Sequence, residues 1–192
     1  MTKRMILVTS PPASGKTYVS KQLAKKLHNI VYLDKDALIP LSSRVFHVAG
    51  EENNRSSAFF EEHIRNYEYI AILDIGFEAL EYADLVLINA PFTREVRDNE
   101  YIKALKEKLA KIGADLVVIW VETDIEVTRQ RMIERNSPRD TWKLANWEEY
   151  VSSRNYSTPD IPALADCLVK FHNSSEEEYT KSMERITKFL LS

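Results

Sequence analysis

Apolar residues along this chain fall into short unbroken runs, separated by longer stretches in which they recur every three or four positions. The runs are Met5-Ile-Leu-Val8, Ile30-Val-Tyr-Leu33, Leu85-Val-Leu-Ile88, Leu116-Val-Val-Ile-Trp-Val121 and Cys167-Leu-Val-Lys-Phe171. None alternates as a strand with one wet face would, so they read as strands buried on both sides. Between them, Val19, Leu23 and Leu27 sit at helical spacing, as do Phe60, Ile64, Tyr67, Ala71, Phe77 and Leu80. Leu105, Leu109 and Ile112 continue the pattern, and Tyr179, Met183, Ile186 and Leu190 close it.

Punctuation residues refine these elements. Gly76 predicts a break in the long second helix, while Thr93 and Gly113 predict the cap and the end of the third. Residues 37–54, with Pro40, Gly50 and Glu51-Glu52-Asn53-Asn54, predict a short helix followed by a mobile loop. Residues 155–162 carry two prolines and read as a turn-rich connection. Strands alternating with helices predict an α/β fold: one open parallel sheet covered on both faces, with ligands outside the carboxyl ends of its strands.

At 192 residues the chain is expected to form a single domain, 1–192. Its 44% apolar and 29% charged residues suit an ordinary globular core. A net charge of −3 supplies no global attraction to nucleic acid or to an anionic membrane, so any phosphate site must be local. One cysteine, Cys167, excludes an internal disulfide and reads as a buried, inert thiol. The histidines at 28, 47, 63 and 172 lack metal-site spacing. Lys3-Arg4 and a short apolar run predict no leader or membrane span, hence a cytoplasmic protein.

The candidate chemistry lies at strand ends. Ser10-Pro11-Pro12-Ala13-Ser14-Gly15-Lys16-Thr17 stands directly after the first strand and opens an amphipathic helix. Backbone N–H groups of such a loop wrap phosphates, Lys16 reaches the β- and γ-phosphates, and the Thr17 hydroxyl ligates magnesium. Ser10 stands where the GxxxxGK[ST] pattern has its first glycine. The bland alternative is a Pro-Pro turn with an exposed lysine. Asp34 and Asp36 follow the second strand, where a carboxylate can accept a hydroxyl proton or hold magnesium through water. Spacing does not divide these roles, and Asp36 also suits a helix cap.

Arg129, Arg131, Arg135 and Arg139 crowd into eleven residues, followed by Lys143. A charge run of this kind is usually a solvated helix face. Near a phosphate loop it also suits a closing lid, spanning about 129–146, with Arg135 and Arg139 at its tips and Arg131 next.

Taken in order, Ser-Pro-Pro-Ala-Ser-Gly-Lys-Thr, Asp36-Ala-Leu, Asn89-Ala-Pro-Phe92 and Arg135-Asn-Ser-Pro-Arg-Asp-Thr-Trp-Lys-Leu144 carry a resemblance. Over nearly its whole length the chain resembles AAA-type ATP-binding proteins of the P-loop kinase superfamily, a group similar to polynucleotide 5′-kinases, zeta toxins and chloramphenicol phosphotransferase. The resemblance implies a P-loop NTPase three-layer sandwich, with a five-stranded parallel sheet of order 2-3-1-4-5 and a helical lid. It matches Asp36 to a base or substrate-binding aspartate, Arg135 and Arg139 to lid arginines, and the turn at His172-Asn173 to a flank of the adenine. Asn89 departs from it, standing where related chains often place an acidic residue.

The function expected is that of an ATP- and Mg2+-dependent kinase acting on a hydroxyl of a small molecule. Its acceptor is expected under residues 40–60, where Arg44, His47, Arg55, Phe46, Phe59 and Phe60 could line a pocket unless the aromatics are core. The alternatives are a nucleic-acid 5′-end kinase, which the acidic net charge disfavours, and an ATP-binding switch module.

Overall fold

Because the apolar runs carry few polar residues, they stack edge to edge between layers of helices, the two outer runs only partly covered. The computed structural model describes residues 3–137 and 140–192. Its strands are β1 (Lys3–Thr9), β2 (Ile30–Asp34), β3 (Leu85–Asn89), β4 (Ala114–Glu122) and β5 (Leu168–His172). All neighbours pair in parallel, in the order β2-β3-β1-β4-β5, as expected.

The helices are α1 (Lys16–Lys26), α2 (Ile39–Ala49), α3 (Ala58–His63), α4 (Arg65–Tyr82) and α5 (Asn99–Ala110), then α6 (Ile125–Arg135), α7 (Thr141–Ala145), α8 (Trp147–Ser152) and α9 (Glu176–Leu191). Side chains alternate across the sheet. Met5, Leu7, Val86, Ile88, Val118 and Trp120 face α4 and α5, while Ile6, Val8, Leu85, Leu87, Val117 and Ile119 face α1 and α9. Burying each large apolar side chain contributes about 1.5–3 kcal/mol, which is why the runs read so clearly. Cys167 is buried, and burial pushes its thiol up to about 11, consistent with an inert role. No described helix is long and apolar enough to cross a membrane.

Three local expectations are corrected. The long helix does not break at Gly76; α4 runs through it, and the break falls at Ile64 (φ −123°, ψ −49°). Gly76 instead lets the helix approach the sheet, since a Cβ there would lie 2.9 Å from Ile88 Cδ1 and 3.2 Å from Met5 Cε. The helix after β3 is capped by Asp98, whose carboxylate accepts from Glu100 N and Tyr101 N, after a 3-10 turn at Glu95–Arg97. Thr93 is therefore not its cap. Residues 39–49 form a full helix, with Pro40 in its first turn and Gly50 (φ 72°) ending it.

Register sets the site. Val8 and Asp34 both pair with Asn89, so the carboxyl ends of β1, β2 and β3 finish side by side. The chain leaves β1 toward β2 and leaves β3 toward β4 on the opposite side. At that reversal a crevice opens above β1.

Candidate active site

The loop after β1 is shaped by two left-handed residues, Ala13 (φ 65°) and Gly15 (φ 84°), which turn successive backbone N–H groups toward one concavity. Thr123 Oγ1, just past β4, and Asn173 Nδ2, just past β5, both donate to the Ser14 carbonyl, at 2.9 and 2.8 Å. Because N–H and C=O point opposite ways across a trans peptide, fixing this carbonyl aims the Gly15 N–H into the cleft. Gly15 is required there for space as well as φ, since its Cβ would fall 2.5 Å from Asn173 Nδ2.

α1 starts at Gly15 with no side-chain cap and no acidic residue in its first turn. Among the described residues, the N–H groups of Gly15, Lys16, Thr17 and Tyr18 meet no protein acceptor. Uncapped donors at the positive end of a helix suit an anion. Ser10 needs no glycine: its φ is not positive, and its buried hydroxyl donates to the Pro11 carbonyl at 2.8 Å. Pro12, Ala13 and Thr17 line the cleft, whereas Ser14 is buried beneath it and donates to the Pro11 carbonyl.

Asn89, at the end of β3, links the loop to β2. Lys16 Nζ donates to its Oδ1 at 2.6 Å, and its Nδ2 donates to Asp34 Oδ2 at 2.9 Å and Thr17 Oγ1 at 3.3 Å. The flipped amide would set NH2 against an ammonium and oxygen against a carboxylate, so the neighbours fix its orientation. Burial lowers the Lys16 ammonium to about 8, although Asp34 and Asp36 favour its charge.

The structure places the two aspartates differently. Asp34 accepts from the Tyr32 hydroxyl at 2.9 Å, from Asn89, and from the Asp36 N–H at 3.1 Å, so Asp34 rather than Asp36 caps the 3-10 turn at Lys35–Leu38. Asp36 is exposed, lines the cleft, and its carboxylate accepts no hydrogen bond among the described residues. Between them Lys35 turns inward to Glu68 (2.7 Å), which also takes both arms of Arg55 (2.7 Å each) and the Ser42 hydroxyl (2.5 Å). Burial pushes the Glu68 carboxyl up, but these donors outweigh it and bring it to about 2. This buried cluster clamps the aspartate-bearing turn onto α4.

The cleft measures about 980 Å³. Lys16, Arg131, Arg135 and Lys143 line its loop side, and Arg65, Arg94, Arg97 and Arg154 line the rest; Asp36 is the one carboxylate lining it among the described residues. In a chain of net charge −3 this is a strong local concentration of positive charge. Arg131 Nη2 donates to the Asn173 carbonyl at 2.7 Å, while its buried Nη1 has no partner among the described residues and lies 3.4 Å from where a Gly15 Cβ would stand. Arg135 and Lys143 (3.0 Å) both bind the buried Asp140 carboxylate. Burial alone would raise that carboxyl, but the two cations hold it below its ordinary value.

Of the other expected residues, Asn173 is buried under the loop and supports it, and Arg139 lies outside the described residues. None of the residues expected to line an acceptor pocket under 40–60 lines this cleft. Arg44 and His47 are exposed away from the cleft, Arg55 is spent on Glu68, and Phe46 and Phe60 pack with Ile64, Phe59 lying against them. Arg65 and Tyr69 of α4 with Pro91, Thr93, Arg94 and Arg97 line the cleft in their place. Sequence reasoning missed it because these residues converge only once α4 lies beside the end of β3.

The donors present suit magnesium brought by a nucleotide. Thr17 Oγ1 and Asp34 share Asn89 as a common partner, and no cluster of three His, Cys, Asp or Glu exists among the described residues. Magnesium ordinarily keeps several waters and takes few protein ligands beside phosphate oxygens.

A family model described as an AAA domain matches residues 5–155. No curated protein matches the sequence. Among solved structures, a protein from Chloroflexus aurantiacus provisionally described as a kinase is 21% identical with a TM-score of 0.66, covering 100% of this chain and 98% of that one. Shikimate kinase from Bacteroides thetaiotaomicron is 16% identical (TM-score 0.57, 100% of both chains). The Mycobacterium tuberculosis APS kinase, solved with AMPPNP and APS, is 18% identical (TM-score 0.56, 100% and 99%). At these identities the likeness is one of fold.

Proposed function

The chain belongs to the AAA domain family, within the P-loop kinase superfamily, and from that premise we propose that it is a kinase moving the γ-phosphoryl group of ATP to a hydroxyl of a small molecule. One observation carries the reading: among the described residues, the cleft that holds Lys16 and the uncapped start of α1 is lined by one carboxylate, Asp36, which accepts no hydrogen bond.

Asp36 accepts the proton as the acceptor oxygen bonds to the γ-phosphorus, and the bond from that phosphorus to the β,γ-bridging oxygen breaks, releasing ADP. Lys16 and Arg131 offset charge on the phosphate oxygens, and the loop N–H groups hold the β-phosphate. Thr17 and Asp34 would help to hold magnesium, which when bound would supply Lewis-acid stabilisation of phosphate charge. Residues 129–146 act as a lid, in which Asp140 holds Arg135 and Lys143 ready until phosphate competes for them. Solved relatives of the same fold described as shikimate kinase and APS kinase support a small-molecule acceptor.

Incubating the protein with Mg-ATP and a panel of hydroxyl acceptors should reveal one that stimulates ADP release. Asp36→Asn should lower that stimulated rate by ~10²–10⁴-fold, the usual worth of a general base, without weakening ATP binding. Acceptor-independent hydrolysis indifferent to Asp36→Asn would refute the mechanism and favour a switch module. Stimulation confined to 5′-hydroxyl oligonucleotides would point to a nucleic-acid end kinase.

A further inference from the structure

The cations of the cleft divide by where the fold puts them. Lys16 and Arg131 abut the phosphate loop, with Arg135 and Lys143 on the neighbouring lid helices, and a nucleoside triphosphate accounts for all four. Arg65 starts α4, while Arg94 and Arg97 follow β3, the strand next to the one that ends at Asp34. All three line the same cleft as Asp36, away from the phosphate loop itself.

Two of these are already neutralised. Arg65 meets Glu95 at 2.6 Å, and Arg94 takes both oxygens of Glu61 at 2.6 and 3.1 Å. Arg97 is different. Its Nη2 donates to the backbone carbonyls of Ser157 (2.5 Å) and Asn155 (3.5 Å), and its guanidinium lies 5.5 Å above the Trp120 ring. Carbonyls and a ring face fix the orientation of the fork without cancelling its charge, and no carboxylate reaches it among the described residues. Burial lowers its pKa, with no counter-charge to offset it. The bond to Asn155 also brings Arg97 beside Arg154, which lies over the Tyr150 ring at 5.7 Å and likewise meets no carboxylate among the described residues.

Resting on the kinase reading above, we propose that the phosphoryl acceptor is itself an anion, a small hydroxy compound whose carboxylate or phosphate ester binds between Arg97 and Arg154. A guanidinium fork held from behind matches the paired oxygens of such a group. A neutral polyol would leave two guanidiniums uncompensated, and an amino sugar would add positive charge to a cleft that has one carboxylate.

The test uses inorganic phosphate as probe on protein saturated with Mg2+ and a non-hydrolysable ATP analogue, so that the loop is filled. Phosphate should raise the thermal midpoint, and Arg97→Gln and Arg154→Gln should each weaken its binding by roughly 10- to 100-fold, as expected for charged hydrogen bonds, with analogue affinity unchanged. Arg154 is exposed, so its variant carries the test should Arg97→Gln fail to fold. Acceptors that differ by one anionic group, glycerol against glycerol 3-phosphate and glucose against gluconate, then separate the chemistries: the anionic members should be the better substrates, chiefly through KM. Equal phosphate binding in wild type and both variants, or turnover of neutral members as efficient as that of charged ones, would overturn the proposal while leaving the kinase reading intact. Failure of the analogue to bind removes the kinase reading instead, and phosphate binding to the Arg97 and Arg154 variants still decides whether the anion site exists.

Discussion

Alkaline pH should turn ATP binding into a proton-uptake reaction at one nitrogen. Burial holds the Lys16 ammonium at about 8, against an ordinary value of 10.5, despite Asp34 and Asp36. A triphosphate on the loop adds several negative charges beside Nζ and returns it at least to its ordinary value. The free protein then takes up, on binding, whatever fraction of a proton Lys16 lacks: ~0.1 at pH 7, ~0.5 at pH 8 and ~0.9 at pH 9. The apparent Kd should weaken about tenfold from pH 7 to pH 9, worth about 1.4 kcal/mol. Titration calorimetry at pH 9 in two buffers of different ionisation enthalpy reads the uptake directly. Equal heats in the two buffers, or the same uptake in Lys16→Met, would refute the argument. Stability moves the other way: between about 8 and 10.5 the unfolded chain binds the proton that folded Lys16 has lost, so the free protein gains stability as pH rises through that window.

Three further outcomes follow from particular contacts. Gly15→Ala forces a side chain into left-handed backbone against Asn173; it should cost about 1–3 kcal/mol in urea unfolding and weaken ATP binding more than tenfold, whereas Gly50→Ala, with open space around it, should leave ATP affinity unchanged. Glu68→Gln strips the buried Lys35 of its counter-charge and should cost about 3–5 kcal/mol. The wild-type contribution of Glu68 is full above 4.5 and lost as pH falls toward 2, so the acid limb of the variant's pH–stability curve should be flatter. Asn89→Asp sets a second carboxylate against Asp34; it should destabilise the free protein by about 1–3 kcal/mol and steepen the rise of its melting temperature with Mg2+.

Much of this arrangement is legible in the sequence because it depends on burial and on local backbone chemistry. A strand sandwiched between helix layers must be apolar on both faces, and β1, β3 and β4 are. The phosphate loop was readable from Gly15-Lys16-Thr17 between a strand and a helix. Less legible were features set by distant partners. Gly76 carries the usual sign of a helix break, but packing against Ile88 and Met5 gives it another role, while the actual break at Ile64 has neither glycine nor proline. Spacing could not divide Asp34 from Asp36, because the division comes from Tyr32 and Asn89 reaching one of them and from Lys35 turning inward to Glu68.

Asn89 shows why a departure from a family pattern can be read as a design choice. An aspartate at its position would satisfy Lys16 but repel Asp34, which lies 2.9 Å from the amide nitrogen. A neutral amide, with its acceptor toward the lysine and its donor toward the carboxylate, satisfies both while adding no charge. It thereby holds Lys16 on β3 in the free protein, in the middle of the three strand ends that finish together. ATP must draw that ammonium from a 2.6 Å hydrogen bond, and the same withdrawal frees Asn89 Oδ1 for water or another donor beside Thr17. On the proposed mechanism, the load an acidic residue would carry toward magnesium falls to Asp34, which Asn89, Tyr32 and the Asp36 N–H already orient. On the proposed mechanism, that leaves Asp36 to face the acceptor.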